Sequence, residues 1–104
     1  MCSIIGILSK DIVAPALVES LKRMEYRGYD SVGIATLSTN NISVRKGIGK
    51  VGQVNSSLNL AGMEGFVGIG HTRWATHGGV TEYNAHPHPC CNNNIAVVHN
   101  GIIE

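Results

Sequence analysis

Cys2-Ser3-Ile4-Ile5-Gly6-Ile7-Leu8 is the stretch on which the fold reading turns. Its β-branched Ile4, Ile5 and Ile7 leave no alternating polar face, so it reads as a strand buried on both sides. A strand of that kind belongs to a layered domain, with something packed above and below it. The residue that opens it carries chemistry. With Met1 removed, which a small residue such as Cys2 permits, a thiol and a free α-amine share one residue. Their ordinary pKa values lie near ~8.5 and ~8, so the amine can take the thiol's proton around neutral pH. The alternative for Cys2 is structural, since free Cys is among the residue types most often buried.

Outward from this strand, Val13, Leu17, Leu21 and Met24 recur at helical spacing, with Lys22, Arg23 and Glu25 on the other side. Asp11 offers an N-cap and Pro15 lies near the first turn, so the helix is expected to start between them, and Gly28 ends the segment. Residues 32–38 and 42–46 read as a hairpin closed by Thr39-Asn40-Asn41. A short helix is expected over 51–60, and strands over 66–71 and 95–99. Several strands with helices set apart from them make an α+β fold. Residues 72–94 have almost no periodicity, and a segment that long is usually put to use.

Composition removes several classes of function. A net charge of +1 with 14% charged residues leaves no electrostatic footprint for nucleic acid or an anionic membrane. No apolar run reaches the ~18 residues of a membrane span, and the N-terminus lacks a signal-peptide pattern, so a cytoplasmic location is expected. The three cysteines are Cys2 and the adjacent Cys90 and Cys91, poorly placed to pair with each other, and a disulfide framework is not expected.

Three segments carry reactive side chains. Around Gly28, Arg27 and Asp30 make either a helix C-cap with a local ion pair or part of a site. His71-Thr72-Arg73-Trp74-Ala75-Thr76-His77-Gly78-Gly79 gathers a guanidinium, an indole, hydroxyls and imidazoles after a strand. Arg forks a carboxylate with two parallel hydrogen bonds, which suits a small acid such as an amino acid; the alternative is a loop pinned by Trp74 in the core. Asn100-Gly101 offers a side-chain amide and a backbone N–H to a developing oxyanion, or else a simple turn. His86-Pro87-His88-Pro89-Cys90-Cys91 crowds four possible ligands into six residues, a poor match to zinc spacing. His71, His77 and His99 read as hydrogen-bonded loop or core histidines.

Taken in order, Met1-Cys2, residues 26–31, residues 71–78, residues 84–88 and residues 99–104 closely resemble the class II (N-terminal nucleophile) glutamine amidotransferase family. Within it, the likeness is to the N-terminal glutaminase domain of the glutamine–fructose-6-phosphate aminotransferases (isomerizing), and it runs the length of the chain. The resemblance implies a four-layer αββα sandwich, represented here only by its first part, with residues 1–104 as a partial type-2 amidotransferase domain. It implies that Cys2 attacks the side-chain amide of L-glutamine, that Asn100 and Gly101 form the oxyanion hole, and that Arg73, Trp74, Thr76 and His77 hold the α-carboxylate end. Arg27 and His86 would support the site, the products would be glutamate and ammonia, and no metal or cofactor is implied.

Two departures from the family pattern stand out. Ser3 follows the nucleophile where the family normally has Gly, and the apolar 95–98 run is followed almost at once by the chain's last residue. The chain is therefore expected to be a truncated fragment, inactive or poorly active alone and lacking the sugar isomerase domains. Two alternatives stand beside this: an active glutaminase completed by a partner chain, and a small metal-binding or structural protein using the 86–91 cluster.

Overall fold

Strand β4 (Val67–Arg73) holds the sheet together, because it pairs antiparallel with a strand on each side. The computed structural model describes residues 2–74 and 78–101. In it β1 (Ser3–Leu8), β2 (Ser31–Ser38) and β3 (Asn41–Ile48) join β4 in a four-stranded sheet of order β1-β4-β2-β3. β2 and β3 form the expected hairpin, with Ser38 opposite Asn41. A second, two-stranded antiparallel sheet consists of β5 (His88–Cys90) and β6 (Ile95–Val97).

Two helices cover one face of the large sheet: α1 (Ala14–Met24) and α2 (Val51–Leu58). α1 buries Ala14, Leu17, Val18 and Leu21 completely or almost so, and they pack with Val32, Ile34, Val51, Val54, Leu60 and Met63 into one core. Two glycines on β4 set how close α1 lies. A Cβ at Gly68 would come within 2.6 Å of Leu17 Cδ1, and one at Gly70 within 3.0 Å of Leu21 Cδ1. The opposite face of the sheet is the functional one. Because side chains alternate along a strand, it receives His71 and Arg73 from β4, Gly33 from β2 and Lys46 from β3. Residues 85–87 lie against it, with Lys46 Nζ donating to the Ala85 carbonyl at 2.8 Å and the His86 carbonyl over Gly33.

The α+β class and the antiparallel strands read from the sequence are present. Several local expectations are corrected. β1 is an edge strand, with Ile4 42% and Leu8 80% exposed, whereas β2 is buried on both faces from Ser31 to Thr36. An apolar run reports affinity for a core but not which strand will be flanked on both sides. α1 starts between Asp11 and Pro15, as expected, with buried Val13 as its N-cap, because Val13 donates its N–H to the Gly65 carbonyl and Pro15 occupies the first turn. A single 3₁₀ turn, Glu25–Arg27, separates the helix end from Gly28. β4 runs on to Arg73 because Thr72 pairs with Ser3 and Arg73 with Ser31. Cys90 and Cys91 are joined in a disulfide, contrary to expectation, at a turn where Cys91, Asn92 and Asn93 all have positive φ. Among the described residues, no helix is long and apolar enough to cross a membrane.

Candidate active site

Cys2 lies just before β1, half-buried, with its thiol 3.8 Å from the Trp74 carbonyl oxygen. Pairing of β1 with β4 causes this approach: Ser3 stands opposite Thr72, so the register carries Cys2 to Arg73 at the end of β4, one residue short of Trp74. Asn100 arrives from the far end of the chain. Its Nδ2 donates to the Cys2 carbonyl at 3.2 Å, and its Oδ1 accepts from His71 Nε2 at 2.8 Å. The same Nε2 is 3.2 Å from the His99 carbonyl. Gly101 has φ +136°, a conformation that L side chains rarely adopt, and a Cβ there would meet His99 Cε1 at 3.1 Å. Glycine is thus required immediately after Asn100 for the backbone to turn as it does.

Behind Asn100 stands a stack of imidazoles. His71 and His86 lie nearly face to face, with ring centroids 4.3 Å apart, and His88 leans on His86 at the same distance. His86 Nδ1 accepts the His99 N–H at 3.3 Å. Burial pushes the His71 pKa down to about 4, against the opposing pull of its hydrogen bonds to Asn100 and His99. Burial likewise takes His86 down to about 4, reinforced by the neighbouring imidazoles, Arg73 and Lys46. His88 is lowered for the same first reason, with Lys46 and Arg73 adding to it. Near neutral pH all three rings are uncharged, so they act as hydrogen-bonding surfaces and not as cations.

Arg73, at the end of β4, is buried to 8% exposure, and its Nη1 donates to the Gly79 carbonyl at 2.8 Å. Asn84 Nδ2 donates to the same oxygen at 3.1 Å, so the guanidinium and this amide close the loop that starts at Gly78. Trp74 is 47% exposed and meets Tyr29 edge to face at 5.8 Å, which removes the alternative of an indole pinned in the core. Arg27 sits exposed on the 3₁₀ turn. Thr76 and His77 lie outside the described residues, as does Met1.

Of the residues singled out in the sequence, Cys2, Trp74, Asn100 and His86 converge directly or through one neighbour. Among the described residues, no group of three or more His, Cys, Asp or Glu could hold a metal ion. Lys46 is marked only by its contact with Ala85, 39 positions away, and no local pattern carries that information.

The chain is 57% identical over 107 residues to glutamine–fructose-6-phosphate aminotransferase (isomerizing) of Sulfurisphaera tokodaii, covering 100% of this chain and 18% of that protein. It is 58% identical over 106 residues to the enzyme of the same name from Brucella abortus, covering 100% of this chain and 17% of that one. This chain matches the N-terminal part of that aminotransferase family. It spans less than a fifth of the length of these relatives. No protein-family model matches it. Among solved structures, the B. subtilis glutamine phosphoribosylpyrophosphate amidotransferase, complexed with ADP and GMP, superposes with a TM-score of 0.74 over 89% of this chain and 20% of its own. At 24% identity that likeness shows the fold alone, that of the N-terminal nucleophile amidotransferase domain. An allosteric regulatory enzyme of purine biosynthesis superposes with a TM-score of 0.71 at 28% identity, over 84% of this chain and 18% of its own.

Proposed function

We propose that this chain carries the glutamine-hydrolysing chemistry of an amidotransferase, with Cys2 as nucleophile and Asn100 and Gly101 as the oxyanion hole. The observation that carries the reading is the Asn100 amide, whose NH₂ end faces Cys2 at 3.2 Å while its carbonyl end is tied back to His71. That NH₂ has two hydrogens. One is spent on the Cys2 carbonyl, and the other is free to meet an oxyanion forming beside the thiol.

With Met1 removed, the Cys2 α-amine takes the thiol proton and the thiolate attacks the δ-carbon of glutamine. The tetrahedral oxyanion is held by Asn100 Nδ2 and the Gly101 N–H. Collapse breaks the C–N bond, and the protonated amine gives its proton to the departing nitrogen, so ammonia leaves and a thioester remains. Water adds to the thioester and glutamate is released, restoring the thiol. Arg73, with Trp74, Thr76 and His77, grips the α-carboxylate, while Arg27 and His86 support the frame. None of these steps calls for a metal or cofactor.

Residues 1–104 would then be part of a type-2 amidotransferase domain. In support, the sheet face opposite the helices shows Leu37 (43% exposed) and Val67 (39%) around a groove of about 190 Å³ lined also by Ala35, Ile42, Ile69 and Ala96. A working glutaminase would cover that groove with more polypeptide, and one supplied by a partner chain would serve.

The test is release of ammonia from L-glutamine by the wild-type chain and by Cys2→Ala. Turnover lost in Cys2→Ala supports the reading. No turnover, combined with failure of a glutamine-mimicking electrophile to label Cys2, removes it.

A further inference from the structure

We propose that His71 is a positioning residue for Asn100: an imidazole with its hydrogen on Nε2 that holds the Asn100 side-chain amide with the NH₂ end toward Cys2. The proposal rests on the oxyanion-hole role given to Asn100 above.

An Asn amide is nearly symmetric in shape and opposite in function at its two ends. Turned over, it would put a carbonyl oxygen beside the Cys2 carbonyl and beside a forming oxyanion, repelling both. Something must therefore choose between the two orientations. Two backbone carbonyls, which can only accept, make the choice. His99 O lies 3.2 Å from His71 Nε2, so that nitrogen must carry a hydrogen. The end of Asn100 that is 2.8 Å from the same Nε2 must then be its oxygen. Independently, the Cys2 carbonyl 3.2 Å from the other end requires the NH₂ there. The network thus has one consistent assignment of donor and acceptor.

The ring itself is held in place. His71 is 1% exposed and stacked on His86. Among the described residues its buried Nδ1 has no hydrogen-bond partner, so a second hydrogen there would be a buried, unpaired donor. His86 completes the clamp, because it accepts the His99 N–H while His71 takes the His99 carbonyl. The peptide preceding Asn100 is thereby gripped from both sides, and the side chain of Asn100 by a third contact.

Two measurements test this on the full chain after Met1 removal. Long-range ¹H–¹⁵N correlations of the His71 ring at pH 7 are expected to show a neutral ring with Nε2 protonated; an Nδ1–H tautomer or an imidazolium overturns the proposal. The second measurement compares alkylation of Cys2 by a glutamine analogue, bearing an electrophilic ketone in place of the amide, with alkylation by iodoacetamide, which needs no oxyanion hole. His71→Leu and Asn100→Ala should each lower the saturating rate with the analogue by about 100-fold, the size of effect expected for a lost oxyanion donor. The half-saturating concentration and the iodoacetamide rate should hold. The double variant should be no slower than either single one, since both remove the same contact. His71→Gln, which keeps a donor at similar reach, should recover most of the rate. Equal losses in His71→Gln and His71→Leu, or additive losses in the double variant, overturn the role of His71 alone. A wild-type chain that reacts with iodoacetamide but not with the analogue overturns the glutaminase reading, and the proposal with it.

Discussion

Gly33 and His86 meet backbone to backbone: the His86 carbonyl oxygen occupies the space that a Cβ on Gly33 would need, and Lys46 Cβ lies 2.6 Å from the same point. Gly33 stands opposite His71 in β4 and Lys46 in β3, so the strand carrying the imidazole and the segment carrying its stacking partner are brought together over a residue without a side chain. Gly33→Ala must push the His86 segment off the sheet or bend β2. Overpacking of this kind costs about 1–3 kcal/mol. The expected result is a lower urea midpoint together with shifted His86 and His99 amide resonances. An unchanged midpoint would mean that the two segments are not in contact.

The histidine stack makes stability depend on pH in a stated direction. His71 and His86 are pushed down to about 4 in the folded chain, against about 6.5 when unfolded. Above about 6.5 both states leave the rings neutral, and the stabilisation is complete. As the pH falls from there toward 4, the unfolded chain binds protons that the folded one refuses, and stability is lost progressively. Urea midpoints measured from pH 7.5 to 4.5 should fall through that window. His71→Gln should flatten the slope, because one of the two rings no longer titrates.

Ser3 bears on the departure from the family pattern. Among the described residues its buried Oγ has no hydrogen-bond partner, nor has Thr72 Oγ1 directly across the β1–β4 pair. A buried hydroxyl left unpaired costs about 1–3 kcal/mol. Ser3→Ala removes it without changing the backbone requirement, and the thermal midpoint should rise. A fall would show that the hydroxyl is hydrogen-bonded in solution. Ser3 points to the helix side of the sheet, while the site lies on the other, so iodoacetamide should label Cys2 at the same rate in both proteins.

Much of this arrangement was legible in the chain because its signals are local. The periodicity of Val13, Leu17 and Leu21 locates α1, and the 39–41 turn locates the β2–β3 hairpin. Arg73 and Asn100 drew attention through their chemistry. What escaped the reading depends on partners far away in sequence. β5 is three residues long and contains Pro89, too short for any period to register. His71 reads correctly as a buried histidine, yet its link to Asn100 spans 29 positions and no spacing rule reaches that far. The burial of β2 on both faces, expected instead of β1, comes from the helices on one side and residues 85–87 on the other, segments far apart in the sequence.

Arg73 tests the substrate end of the site. Its guanidinium is buried, ties down the 78–84 loop through the Gly79 carbonyl, and sits on the same sheet face as His71. Lys keeps the charge but loses the planar fork that meets a carboxylate with two parallel bonds. Arg73→Lys should therefore raise the half-saturating concentration of a glutamine analogue by about 10-fold or more, equivalent to about 1.4 kcal/mol, while the saturating rate of Cys2 labelling changes little. Asn84→Ala provides the control, because it removes only the second donor to Gly79 and leaves the guanidinium in place. If both variants weaken binding equally, Arg73 acts by closing the loop. If Arg73→Lys alone weakens it, the guanidinium itself holds the carboxylate.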